Sequence, residues 1–404
     1  MKTAIIGGGA SGLACAIELK KLSPNFQVTV YEANPRVGKK ILATGNGRCN
    51  LTNLSADKSG YRNMRYAGYA LEMFTPESNI KFFNSLGLFT RNDGFGRIYP
   101  LSNQASSVLD ALRLSAERLG VNIVSENHVD NIDYKKGKFL VCSQEYDVLV
   151  LATGGKASPS QGSDGSGYKL LKQLGHKLTP LAPSLVQLET ESKQYPKFLK
   201  GVRCDCQMSL VIDGKLVSQK NGEILFADYG LSGIVSMEMS AYIGSHFARN
   251  KTKPRIYVDF VPSMTQSELM KNIKFLLPMG KNIRVEDMLS GFMPKKIGQV
   301  ILKQAGIGSD KKIFEISSDS LKEIVLLAKN FEFIISGTRG YDMAQVTSGG
   351  ADTKEFDKRT MMSKKIPALY CIGELVDVDG DCGGYNLNWA WSSGRLAAKS
   401  ISEL

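Results

Sequence analysis

The chain is poor in the residues that build metal and thiol chemistry. Only three histidines, His128, His176 and His246, occur in 404 residues; they are far apart and none sits in a metal-ligand motif, so no metal site is expected. Seven cysteines, an odd number, never form C-x-x-C, which argues against a disulfide framework, a zinc site or a thioredoxin-reductase-like redox pair. Long apolar runs are also missing, so no bilayer-spanning segment is expected. The apolar run after Lys2 breaks into glycines too early for a signal peptide. A cytoplasmic enzyme is the expectation, long enough for two domains or one domain with a large insertion.

Charge of one sign is not scarce: the formal balance is +12. Its basic pairs are dispersed, however, as Lys20-Lys21, Lys39-Lys40, Lys135-Lys136, Lys295-Lys296 and Lys364-Lys365. Without a dense run or interleaved aromatics they read as solvated surface, and nucleic acid is not expected as a partner.

Against these absences stands one dense motif. The apolar run Lys2 to Ile6 is followed by Gly7-Gly8-Gly9-Ala10-Ser11-Gly12, a G-x-G-x-x-G turn, and then by Leu13, Ala14 and Ile17 at helical spacing. Gly7 permits the turn, Gly9 lets backbone N–H groups approach a pyrophosphate, and Gly12 lets the helix pack on the strand. A second strand, Val28 to Tyr31, ends at Glu32 and Ala33, where an acid is placed to accept from ribose hydroxyls. The unit predicts a site for the ADP part of a dinucleotide.

The next segment, Gly38 to Asn53, is glycine-spaced and polar. Lys39, Thr44, Gly45, Arg48, Cys49 and Asn50 suit a loop wrapped around an anionic, polar ligand. Four short strands are expected at Val121–Val124, Val129–Tyr134, Lys138–Cys142 and Asp147–Leu151. The last runs into Ala152-Thr153-Gly154-Gly155, whose small residues let the turn approach the nucleotide, and Val129 is placed to meet the adenine through its backbone.

From about Val186 to Gly340 the pattern changes. Val202, Cys204, Cys206, Met208, Leu210 and Ile212 alternate with polar or outward positions, predicting an antiparallel strand that turns at Asp213-Gly214. Cys204 and Cys206 then share an apolar face and read as packing. Ile256–Val261 and Phe331–Ile335 add strands, while Thr265-x-x-Glu268 and Ser320-x-x-Glu323 look like capping boxes that open helices. Beyond this insertion, Leu369–Ile372 predicts a buried strand ending at Gly373-Glu374. A helix from Asn388 carries Ala390, Gly394, Ala397 and Ala398 at close-packing positions. Backbone N–H groups of Asn386 and Leu387 are candidates to face the pyrimidine oxygens of a flavin.

At this point a resemblance is visible. The segments T-G-N-G-R-C-N-L-T-N (44–53), D-G-F-G-R-I-Y-P (93–100), A-T-G-G (152–155), F-A-D-Y-G-L-S-G (226–233), V-T-S-G-G (346–350) and I-G-E-L-V-D-V-D-G-D-C-G-G-Y-N-L-N-W-A (372–390) resemble the BaiN-like, aminoacetone-oxidase-type family of FAD-binding proteins along the whole chain. The resemblance implies FAD and an α/β fold: a two-dinucleotide-binding-type, glutathione-reductase-like FAD domain with an inserted β-barrel-like domain and a small helical subdomain. The expected boundaries are 1–187 with 341–404 for the FAD domain, 188–262 with 330–340 for the barrel, and 263–329 for the helices.

A second G-x-G-x-x-G for a nicotinamide is absent, since Gly162, Gly165 and Gly167 have the wrong spacing and follow no strand. The expectation is therefore an FAD-dependent oxidoreductase moving a hydride between the flavin and a small amine, ketone or enone-like acid. NAD(P)H or oxygen is the candidate electron partner. An FAD-containing RNA-modifying or nucleic-acid-associated protein stays open as the alternative. No catalytic acid or base is assigned: Tyr99, Tyr229 and Arg339 are polar groups in glycine-rich loops, equally serviceable as structure. Cys49 and Cys382 belong to loops placed near the flavin but read as inert thiols, and Trp389 and Trp391 read as packing.

Overall fold

The computed structural model describes residues 1–56, 58–250, 252–279, 283–308 and 310–404. Its chain divides into two compact units, Met1–Ser184 with Tyr341–Leu404, and Leu185–Gly340.

The first unit is built on a five-stranded sheet. Strands β1 (Lys2–Ile6), β2 (Gln27–Tyr31), β3 (Asn122–Val124), β4 (Val148–Leu151) and β5 (Leu369–Cys371) lie in the order β5-β4-β1-β2-β3, all parallel. Four of five residues in β1 and in β2, and every residue of β4, are buried, as a sheet covered on both faces requires. Helix α1 (Ala10–Leu22) and the C-terminal helix α2 (Tyr385–Ser402) pack on each other. A Cβ at Gly394 would lie 2.5 Å from the Ser11 carbonyl oxygen, so the expected close-packing position is one that only glycine fills. Leu13 and Ile17 of α1 are fully buried, and each such side chain contributes about 1.5–3 kcal/mol.

The meander before β4 has three strands, Asp133–Lys135, Lys138–Val141 and Gln144–Tyr146. Val129 precedes the first of them instead of starting it. Helix α2 begins three residues earlier than its apolar spacing suggests, because Gly384 takes φ +101° and starts the helical turn at Tyr385.

The second unit holds a closed six-stranded barrel of Leu188–Thr190, Gly230–Ser232, Lys215–Ala227, Arg203–Ile212, Arg255–Asp259 and Phe331–Thr338, in that order. Cys206, Met208 and Leu210 point into its core, and Cys204 is half-buried beside them. Burial pushes both thiols up to about 12, as suits packing residues. Helices Gln266–Leu276, Val285–Leu289, Lys295–Gln304 and Ser318–Lys329 share one apolar core with the barrel. Thr265 and Glu268 form the expected capping box. The last helix is capped by Ser317, whose hydroxyl accepts from the Ser320 N–H, and not by Ser320 itself.

Candidate functional site

Three chain turns meet at the C-terminal ends of β1, β4 and β5. Gly7 at φ +109° is pressed against β4, for a Cβ there would lie 2.4 Å from the Ala152 carbonyl oxygen. A Cβ on Gly12 would lie 2.0 Å from the Gly7 carbonyl oxygen, so Gly12 sets the depth at which α1 seats. At Gly373, φ is +67° and a Cβ would strike Ser11 Oγ at 2.4 Å. The fingerprint, the Ala152-Thr153-Gly154 turn and the Gly373-Glu374 turn are thus packed at backbone distance.

Gly9 behaves differently. Its φ is −83° and a Cβ there would meet nothing within 4 Å. Neither backbone strain nor protein packing requires glycine here, and the space beside it is open against the helix end. Gly9 is also the N-cap of α1 and supplies no capping side chain, so the N–H groups of Ala10, Ser11 and Gly12 lack intrahelical acceptors and are available to an anion.

Glu32 is buried beside this turn. Its Oε2 accepts from the Gly8 N–H at 3.0 Å, and its Oε1 accepts from the Asn34 N–H and Nδ2 at 2.8 and 2.7 Å. Three of about four acceptor positions of the carboxylate are filled, which leaves room for one hydroxyl donor. Ala33 is exposed. Asn127 donates its N–H to the Glu32 carbonyl at 2.9 Å and holds the Val129 loop next to the acid; the Val129 backbone makes no hydrogen bond among the described residues.

The Gly38–Asn53 segment starts as a short helix, Lys39–Ala43, and then turns tightly. Thr44 Oγ1 donates to the Ile41 carbonyl, and Arg48 Nε donates to the Gly45 carbonyl while its guanidinium lies 4.8 Å from the Tyr99 ring centre. Cys49 is fully buried at φ +58°, and burial pushes its thiol up to about 12. Lys39 is exposed, whereas Lys40 Nζ donates to Glu374 Oε2 at 2.8 Å and to the Ala157 carbonyl at 3.2 Å. Glu374 Oε1 accepts from the Thr347 N–H at 2.9 Å, so both its oxygens are engaged within the protein. A five-residue helix leaves no periodic pattern from which sequence could tell Lys39 from Lys40.

Asn50 carries the clearest vacancy in hydrogen bonding. Its Oδ1 is buried with no partner among the described residues, and lies 2.9 Å from where a Cβ on Gly384 would sit. Asn386 uses its own amide to bridge Gly380, accepting from the N–H at 2.8 Å and donating to the carbonyl at 2.9 Å. The N–H groups of Asn386 and Leu387 in the first turn of α2 have no intrahelical acceptor. Trp389 and Trp391 are packing residues that also anchor the loops: their Nε1 atoms donate to the Gly373 and Leu51 carbonyls at 3.0 and 2.9 Å. Cys382 is half-buried. Tyr229 and Arg339 belong to the second unit, where the guanidinium lies 4.7 Å from the ring centre.

A glycine facing open space, a bare helix end, a carboxylate with one acceptor position left and an orphaned buried acceptor fit FAD. Gly7 to Gly12 and Glu32 suit its ADP half. Asn50 and the start of α2 suit its flavin, which carries an N–H donor and carbonyl acceptors.

The family model described as the HI0933-like protein Rossmann domain matches residues 1–400. The chain is 38% identical to a 3-dehydro-bile acid delta(4,6)-reductase of Clostridium scindens, over 99% of this chain and 98% of that one. It is 31% identical to a ribosomal RNA dihydrouridine synthase of Haemophilus influenzae, over 98% of each. In fold it is similar to the quinol fumarate reductase of E. coli, with a TM-score of 0.51 at 14% identity over 100% of this chain and 70% of that one. No helix among the described residues is long and apolar enough to cross a membrane. The chain belongs to the HI0933-like family and is an FAD-dependent oxidoreductase on a Rossmann-type domain.

Proposed function

We propose that this protein adds a hydride and a proton across a carbon–carbon double bond conjugated to a ring carbonyl. The observation that carries this reading is the convergence of two differently named relatives on one bond type, each matched from end to end. A 3-dehydro-bile acid delta(4,6)-reductase is named for alkenes conjugated to a 3-keto group, and a dihydrouridine synthase for the alkene next to the uracil C4 carbonyl. Of the amine, ketone and enone-like acid expected from sequence, the enone is therefore retained.

FAD, when bound, supplies the hydride, and NAD(P)H is the reductant that restores it. The chain's own contribution is positional. Gly9 and the α1 N-terminus hold the pyrophosphate, Glu32 the ribose, and Lys40 fixes the Glu374 turn. The α2 N-terminus offers N–H groups to negative charge on the reduced ring.

A second reading, uracil within RNA as the enone, is favoured by the +12 charge, which concentrates polyanions at the surface. The test is anaerobic. The flavin is bleached with NADPH or NADH, then mixed with a steroid enone acid or with unmodified ribosomal RNA, and its reoxidation is followed. Reoxidation by an enone with formation of the saturated product supports the reading; a reduced flavin that neither enone reoxidises, and that turns over only when air is admitted, overturns it.

A further inference from the structure

We infer that a basic groove in the second unit docks single-stranded or looped RNA. It runs between the short helix Gln194–Phe198 and the helix Lys295–Gln304, and is floored by Val300 and Ile307. Tyr195 Oη donates to Gln304 Oε1 at 2.7 Å and ties the two walls. Lys197 stands on one wall and Lys303 on the other, both exposed and without an ion-pair partner among the described residues. Between them Phe198 is 50% exposed, with the Lys296 ammonium 5.9 Å from its ring centre.

The charge here is selective. Nearby Lys200 is paired with Asp228, and Lys295 with Glu286 and Asp287, so acids neutralise the flanks and leave Lys197 and Lys303 free. Across residues 185–340, 22 lysines and arginines face 16 aspartates and glutamates. Unneutralised lysines attract phosphates, and an exposed ring beside them offers a stacking face for a base. An apolar protein partner has no use for the lysines, and an acidic one has none for the bare ring. Splayed nucleotides use both.

This inference rests on the RNA reading of the substrate and is tested apart from it. The FAD-loaded protein is titrated into a fluorescein-labelled mixed-sequence RNA single strand at several salt concentrations, with polyglutamate as competitor. Lys197→Ala/Lys303→Ala is expected to weaken binding about tenfold and to lower the slope of log affinity against log salt by about 1.4, because two phosphates are no longer neutralised. Phe198→Ala is expected to weaken binding with the slope unchanged. Unchanged FAD content certifies folding of the first unit in these variants, and an unchanged far-ultraviolet circular dichroism melting curve that of the second. Equal affinity and slope in wild type and variants overturns the groove, as does polyglutamate competing as well as RNA. Dihydrouridine in the recovered RNA separates the two readings. RNA held by the groove but never reduced removes the substrate assignment alone, whereas RNA reduced with binding untouched by the variants removes the groove alone.

Discussion

Lys40 Nζ lies 2.8 Å from Glu374 Oε2, joining residues 334 positions apart. Because the same ammonium also donates to the Ala157 carbonyl, one side chain clamps the Gly38 segment, the turn after β4 and the turn after β5.

Lys40→Met should therefore loosen the FAD cradle. Charge-assisted hydrogen bonds of this kind contribute about 1.5–3 kcal/mol, so the flavin dissociation constant should rise roughly tenfold or more. Lys39→Met, one residue away and exposed, is the control. Equal losses in both variants, read by flavin fluorescence on titration into apoprotein, would show that the clamp does not matter.

Gly9 and Gly12 should part company. A side chain at Gly9 meets no protein atom, so Gly9→Val should fold with an unchanged apoprotein melting temperature yet bind no FAD. Gly12→Ala drives a Cβ onto the Gly7 carbonyl and should lower stability by several kcal/mol, at the upper end for single substitutions. Full flavin occupancy in purified Gly9→Val would falsify the cradle.

Glu32→Ala removes the acceptor proposed for the ribose together with the anchor of the Gly8 and Asn34 N–H groups. FAD binding should weaken by about 1–3 kcal/mol. A dissociation constant equal to that of the wild type takes Glu32 out of the site.

The acid stability of the first unit should depend on His176 and Glu355. His176 is buried, stacked on Phe356 at 4.6 Å; its Nδ1 donates to Glu355 Oε2 at 2.8 Å and its Nε2 accepts from Ser363 Oγ at 3.1 Å. Burial holds the imidazole below its ordinary value against the pull of Glu355. Burial also opposes ionisation of Glu355, but hydrogen bonds from Lys365, the Lys177 N–H and His176 outweigh it and bring the carboxyl to about 2. Both folded values lie below the unfolded ones, so the unfolded chain binds more protons and stability is lost as the pH is lowered. The loss should begin below about 6.5 through His176 and steepen between about 4.5 and 2 through Glu355. Glu355→Gln should flatten the steeper limb of melting temperature against pH; an unaltered limb rejects the assignment. The Ser363-His176-Glu355 row is structural, since Ser363 Oγ already accepts from the Lys365 and Ile366 N–H groups in a buried turn.

Much of the fold was legible because its signals are local. Strand, glycine turn, helix and acid follow one another between Lys2 and Glu32, and the alternation from Val202 to Ile212 marks a strand with one buried face. Three-residue strands such as Leu188–Thr190 and Gly230–Ser232 were not legible. They exist through their pairing in the barrel and carry too few residues to show a period. The start of α2 and the cap at Ser317 were misplaced by three residues each, because in each case a non-helical residue just outside the apolar pattern sets the boundary.

The sequence by itself determined that a dinucleotide site opens this chain, since a strand, a glycine turn and a helix in succession are a pattern of adjacent residues. Only the tertiary structure decided that Lys40 pairs with Glu374, which carboxylate oxygens are already engaged, and that Lys197 and Lys303, far apart in the chain, line one groove around Phe198. Charge acts through space, and positions dispersed along a chain carry no sign of the neighbours that folding gives them.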